Sequence, residues 1–268
     1  YVTEYVASIP FYLLSHIIPD WDLESIKENQ VSSTESVEEI NKRNKILLEN
    51  SINNATYVAY KSANKKIEIT KTKYVVVAVT KENGLKIGDE ILEVEGKKVS
   101  SLEMIKQTIE EKNVGDAINL KIKRNNKEQE VVAKIEKEEN KKALGVMIVT
   151  NYNLKPEKEV KLKFKQSESG SSGGLMMSLS IYSAISGKDI LKGRNIAGTG
   201  TIDMNGNVGE IGGIKYKIMG AVKNKMDVVL VPSANYKEAI KVKEAKNYKI
   251  KIVKVDTFMD AIDYLTTN

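Results

Sequence analysis

The chain has 268 residues, 41% hydrophobic and 29% charged, enough to bury one large or two modest cores. Its 42 basic and 36 acidic residues leave a net +6. They are interspersed, without an arginine-rich block or interleaved aromatics, so a solvated Lys/Glu surface is expected and no nucleic-acid partner. Cysteine is absent and histidine occurs once, at His16, which excludes disulfides, cysteine nucleophiles, thiolate zinc sites and His-rich metal sites.

Residues 1–30 mix apolar and polar positions around the breakers Pro10 and Pro19, and are expected to pack as an extension. No run reaches the ~20 apolar residues of a membrane span. The chain begins at Tyr1, and a segment removed from upstream of it is expected. A cap-like run from Ser33, followed by Ile40, Ile46, Leu47 and Ile52 at helical spacing, predicts a helix over 35–54. Residues 56–136 read as a β-rich unit with strands over 65–70, 73–79, 89–99, 117–124 and 127–135. One helix, over 101–112, starts at a Ser100/Ser101 cap. A charged link over 136–143 leads to strands over 145–152 and 159–165.

The helix predicted next, over 174–186, stops at Gly187. Segments 195–202 and 206–211 read as a hairpin around Asn205-Gly206-Asn207. Helix 214–225, strand 227–232, a helix capped by Ser233, strand 248–255 and a helix capped by Thr257 complete the chain. Met176 and Met177 are expected in the core, and His16 as a structural or surface residue.

Gly170-Ser171-Ser172-Gly173-Gly174 satisfies G-x-S-x-G, yet a hydrolase elbow needs a histidine downstream, and none follows position 16. A phosphate loop needs Gly-Lys-Ser/Thr, and Gly187-Lys188-Asp189 lacks the hydroxyl. What remains is a plain turn capping a helix, or a serine activated by a lysine. The helix opened by Gly212-Gly213 offers Lys215 and Lys217, about 200° apart at ~100° per residue. Lys215 shares its side with Ile218, Met219 and Val222 and is expected to face the core; Lys217 lies with Gly220, Ala221 and Asn224 and is expected to reach solvent. Such a lysine either snorkels or, desolvated beside a helix N-terminus, becomes a neutral base for serine.

The segment "SGSSGGLMMSLSIYSAISGKDILKGRNIAGTGTIDMNGNVGEIGGIKYKIMGA" resembles the proteolytic domain of Lon. It is most similar to membrane-anchored bacterial Lon-like proteases that carry a PDZ domain and no ATPase. The family pattern G-P-S-A-G places the nucleophile on Ser172, the family's lysine on Lys215, and a lysine-orienting threonine on Thr199. Ser171 and Gly173 stand where the family has proline and alanine. Ser169 replaces an acidic residue, with Glu168 just before it. Backbone N–H groups around Gly170, Ser171 and Ser172 are expected to hold the oxyanion. The segment "NGLKIGDEILEVEGKKVSSLEMIKQTI" is similar to PDZ domains of bacterial proteases, which bind peptides by strand addition. Tyr74, Val75, Val76 and Val77 form either that edge strand or a core strand.

The expectation is an α+β chain: an N-terminal extension and helix over 1–55, a PDZ domain over 56–136 and a Lon-protease-like α+β domain over 137–268. Its expected activity is that of a Ser-Lys endopeptidase acting on unfolded or exposed polypeptides, without ATP, other cofactor or metal. The alternative is an adaptor on an inactive Lon-like fold. The resemblance further implies an N-terminal membrane anchor, an extracytoplasmic location at the bacterial cell membrane, and a homo-oligomer.

Overall fold

The computed structural model describes residues 7–18, 21–23, 25–138, 140–163 and 169–267. Two short helices, α1 (Ile9–Ser15) and α2 (Ile26–Asn29), precede a long one, α3 (Val37–Ser62). Pro10 in the first turn suits α1, and none of its residues is buried. α3 is started by a capping box: Ser36 accepts from the Glu39 N–H while the Glu39 carboxylate accepts from the Ser36 N–H. It runs to Ser62, not to 54, because Ala55, Val58, Ala59 and Tyr60 are buried in a shared core with the C-terminal half. That burial outweighs the weak helix propensity of the β-branched and aromatic residues in its last turns.

The β-rich unit follows as β1 (Ile67–Val79), β2 (Glu90–Val94), β3 (Lys97–Lys98), α4 (Leu102–Glu110), β4 (Ala117–Arg124) and β5 (Lys127–Lys134). The two strands expected over 65–79 are one, because β8 (Val146–Pro156) pairs antiparallel along its whole length, from Ile67 opposite Pro156 to Val79 opposite Val146. The sheet order is β5-β4-β2-β1-β8, with β3 on β2. α3 continues through 55/56, and β8 joins the sheet of the preceding unit. The charged link folds as the hairpin β6 (Glu136–Glu138) and β7 (Lys141–Ala143), with Glu138 opposite Lys141.

Asp89, 1% exposed, receives the Arg124 guanidinium on both carboxylate oxygens at 2.8 and 2.6 Å and the Lys86 N–H at 2.8 Å. The pairing holds the Arg124 guanidinium above its ordinary pKa. It ties β4 to the loop entering β2, and Arg124 also reaches the Gly84 carbonyl. Removing one partner strands the other charge. Asp89→Asn is expected to cost about 3–5 kcal/mol, read as a lowered denaturant midpoint in chemical unfolding.

The C-terminal half has α5 (Gly174–Ser186), β9 (Ile196–Gly198), β10 (Thr201–Ile202), β11 (Val208–Gly209), α6 (Ile214–Lys223), β12 (Val228–Pro232), α7 (Ser233–Ala245), β13 (Lys251–Val255) and α8 (Phe258–Thr267). β13, β12 and β9 form a parallel sheet, and β10 pairs with β11. Residues 159–163 are not strand; Val160 and Leu162 instead pack against the α3–α5 core, and 164–165 lie outside the described residues. Gly187 ends α5 at φ +68°, and Thr257 Oγ1 accepts the Asp260 N–H at the start of α8, both as expected. Ser233 is already helical, with Pro232 at the N-cap position. Proline's side chain has no acceptor, so no side-chain cap is made.

Candidate active site

The turn before α5 is held by main-chain and hydroxyl contacts. Gly170 has φ +79°, a left-handed conformation that glycine adopts without strain, and its N–H donates to the Asn44 carbonyl of α3 at 3.0 Å. The Ser171 carbonyl accepts from the Gly174 N–H and from Ser51 Oγ, each at 3.1 Å. The Ser172 carbonyl accepts from Thr199 Oγ1 at 3.0 Å and the Gly200 N–H at 2.9 Å. The Leu175 N–H donates back to the Gly200 carbonyl at 3.1 Å, stitching the start of α5 to the loop after β9. Both carbonyls are turned into the protein.

Lys217 Nζ lies 3.0 Å from Ser172 Oγ, donating to it. The structure thus overturns the expectation for the two lysines. Lys215 is turned away: its Nζ pairs with the Asp22 carboxylate at 2.6 Å, and the Tyr216 hydroxyl donates to the same oxygen. These two donors hold the Asp22 carboxyl below its ordinary pKa. The reason is the position of the buried stripe. Ile214 and Ile218 are 0% exposed and Ala221 is 5% exposed, whereas Met219 and Val222 are only half-buried. Lys217 is one turn from both Ile214 and Ala221, about 60° from the centre of that stripe, and Lys215 is nearly 100° from it. A face drawn through Ile218, Met219 and Val222 alone, without Ile214, is rotated toward Lys215.

Thr199, 3% exposed, was expected to orient the lysine; the bond it donates instead goes to the Ser172 carbonyl. Gly170 cannot serve the oxyanion, because its N–H is occupied by Asn44. Among the described residues the N–H groups of Ser171 and Ser172 meet no acceptor. α6 is itself anchored: Asn235 on α7, 2% exposed, accepts the Ile211 N–H at 3.0 Å and donates to the Ile211 carbonyl at 2.9 Å. That double bond-pair fixes the chain just before the Gly212-Gly213 entry to α6. Asn44, Ser51 and Asn235 were missed in the sequence. For Ser51 the run of Asn and Ser in the middle of α3 was the available signal, since these residues sit poorly inside a helix unless their side chains have partners; Asn44 acts through its main-chain carbonyl, which no side-chain pattern reports.

Tyr74, Val75 and Val76, with Val77, are not an edge strand. β1 lies between β2 and β8, and Val76 trades hydrogen bonds with Asp89 and Gly88 on one side while facing Ile148 on the other. The two edges of the sheet are β5 and β8. His16 is exposed at the end of α1, its ring nitrogen 2.9 Å from the Tyr12 carbonyl. Met177 is buried and Met176 packs against the core, with its sulfur over Gly198. Glu168 lies outside the described residues; Ser169 is exposed. Among the described residues no cluster of His, Asp or Glu converges to hold a metal, and no helix is long and apolar enough to cross a membrane.

Residues 163–267 match the family model for the Lon protease C-terminal proteolytic domain, and residues 50–135 match that for the PDZ domain. The Lon protease of Mesomycoplasma hyopneumoniae is 36% identical over 96 residues, 36% of this chain and 11% of the relative. That of Campylobacter jejuni is 35% identical over 96 residues, 35% of this chain and 12% of the relative. The chain thus spans only about an eighth of the length of these relatives. The solved PDZ domain of the SdrC-like protein of Listeria innocua is 27% identical, covers 28% of this chain and 92% of that domain, and superposes with a TM-score of 0.27. Residues 163–267, which bring Ser172 and Lys217 together, are thus similar to Lon-type C-terminal proteolytic domains, and residues 50–135 before them to PDZ domains.

Proposed function

We propose that the chain is a serine endopeptidase in which Ser172 is the nucleophile and Lys217 the base. The contact of 3.0 Å between Lys217 Nζ and Ser172 Oγ carries this reading. With the amine neutral, Nζ takes the hydroxyl proton as Oγ attacks a peptide carbonyl. The resulting ammonium returns that proton to the leaving amine as the C–N bond breaks. Water then attacks the acyl ester, gives its proton to Nζ, and Oγ leaves with that proton. The Ser171 and Ser172 N–H groups face the developing oxyanion, at the N-terminal end of α5, whose dipole favours negative charge. No step uses a nucleotide or a metal.

The PDZ unit supports delivery of an extended polypeptide. Its strand-adding edge is the first half of β8, where Val146 and Ile148 pack on the core that includes Ile105 and Ile109 of α4.

Digestion of an unfolded polypeptide without ATP, followed by mass spectrometry, tests the assignment. Ser172→Ala is expected to reduce cleavage by at least about 10³-fold, and Ser171→Ala by little. Loss confined to Ser171→Ala would move the nucleophile by one residue. A folded wild-type chain that binds the polypeptide and leaves it intact would instead favour the adaptor reading.

A further inference from the structure

The contact that ties α3 to the nucleophile turn belongs to neither matched unit's own interior. Ser51 is 2% exposed, and its hydroxyl reaches across to the Ser171 carbonyl at 3.1 Å. The same peptide unit carries the Ser172 N–H, one of two N–H groups in the turn that meet no acceptor among the described residues. The plane of the Ser171–Ser172 peptide is therefore set by what holds its carbonyl. One holder, the Gly174 N–H, is local to the turn; Ser51 is the one supplied by a separate element. A second anchor from the same helix, the Asn44 carbonyl, takes the Gly170 N–H. The helix is rigid there: it buries Ala55, Val58 and Ala59 against α5, and Asn54 Nδ2 donates to the Ile202 carbonyl at 3.0 Å.

We propose that Ser51 is a positioning residue for the nucleophile: by holding the Ser171 carbonyl it aims the Ser172 N–H at the oxyanion. This rests on the reading of Ser172 as nucleophile. The carbonyl keeps its bond from Gly174 when Ser51 is lost, so the fold survives and the orientation loosens. The hydroxyl is what matters, and threonine supplies it.

In the full chain, Ser51→Ala is expected to lower kcat on a peptide substrate about tenfold, with KM within twofold of wild type and little change in the melting temperature. Ser51→Thr is expected to recover most of kcat. Amide hydrogen exchange at Ser171–Leu175 is measured on the same proteins, and faster exchange is expected in Ser51→Ala alone. Unchanged kcat and unchanged exchange in a folded Ser51→Ala chain overturn the proposal. So does a kcat loss that only tracks the unfolded fraction, or one that threonine does not repair while the chain stays folded. Should wild type and Ser172→Ala prove equally inactive, the nucleophile reading fails, and the exchange data still decide whether Ser51 holds the turn.

Discussion

Lys217→Met is expected to lower kcat/KM for peptide hydrolysis by about 10²–10⁴-fold, and Lys215→Met by no more than about threefold. The contrast follows from geometry. Methionine keeps the length and apolar packing of the lysine stem but has no proton to donate or accept. At 217 it removes the amine that lies within hydrogen-bond reach of Ser172 Oγ. At 215 it removes a half-exposed ion pair with Asp22, and such surface pairs contribute about 0.2–1 kcal/mol. The wild-type pH profile should carry a limb that rises with pH, because the base must be neutral to accept the serine proton. That limb should persist in Lys215→Met and vanish from the residual rate of Lys217→Met. A large loss with Lys215→Met and near-normal rates with Lys217→Met would return the base to Lys215 and overturn the geometric assignment.

The same pair of lysines shows where the sequence was legible. The serine turn, the Gly212-Gly213 helix and the strand–helix alternation after 196 could be read directly, since glycine punctuation and apolar periodicity report local backbone. Which lysine faced inward was decided by a rotation of the helix of less than one residue's step, and that is set by packing. Ile214, completely buried, marks the inner face. The placement of Tyr74–Val77 stayed open between edge and core for a related reason. A run of β-branched residues reads alike in an edge and a central strand, and only the return of β8, far along the chain, makes β1 interior. The contribution of α3 was illegible because its anchors, Asn44, Ser51 and Asn54, are polar residues whose partners lie more than a hundred positions away. Polar residues inside a helix signal that partners exist, but local sequence does not say which they are.

Gly174→Ala should be the most damaging single methyl in the turn, and Gly173→Ala among the mildest. A Cβ at 174 would sit 2.8 Å from both Ile202 Cγ2 and the Ile202 main-chain nitrogen, and 2.9 Å from Ser51 Oγ. Main chain cannot swing aside as a side chain can, so α5 must move away from β10. Overpacking of this kind costs about 1–3 kcal/mol. The displacement also shifts Oγ relative to Lys217, and misplacement by ~1 Å can cost about 10²-fold in rate. At 173 the backbone has φ −90°, and the added methyl meets nothing closer than Met177 Cε at 3.8 Å. Alanine there loses glycine's extra freedom in the unfolded chain and is expected to stabilise by about 0.4–1 kcal/mol, with kcat within about twofold. It also restores the alanine of the G-P-S-A-G pattern. Thermal unfolding and peptide hydrolysis on the two variants check both halves. Equal tolerance at 174 would mean that α5 and β10 are not packed as tightly as the turn's geometry requires.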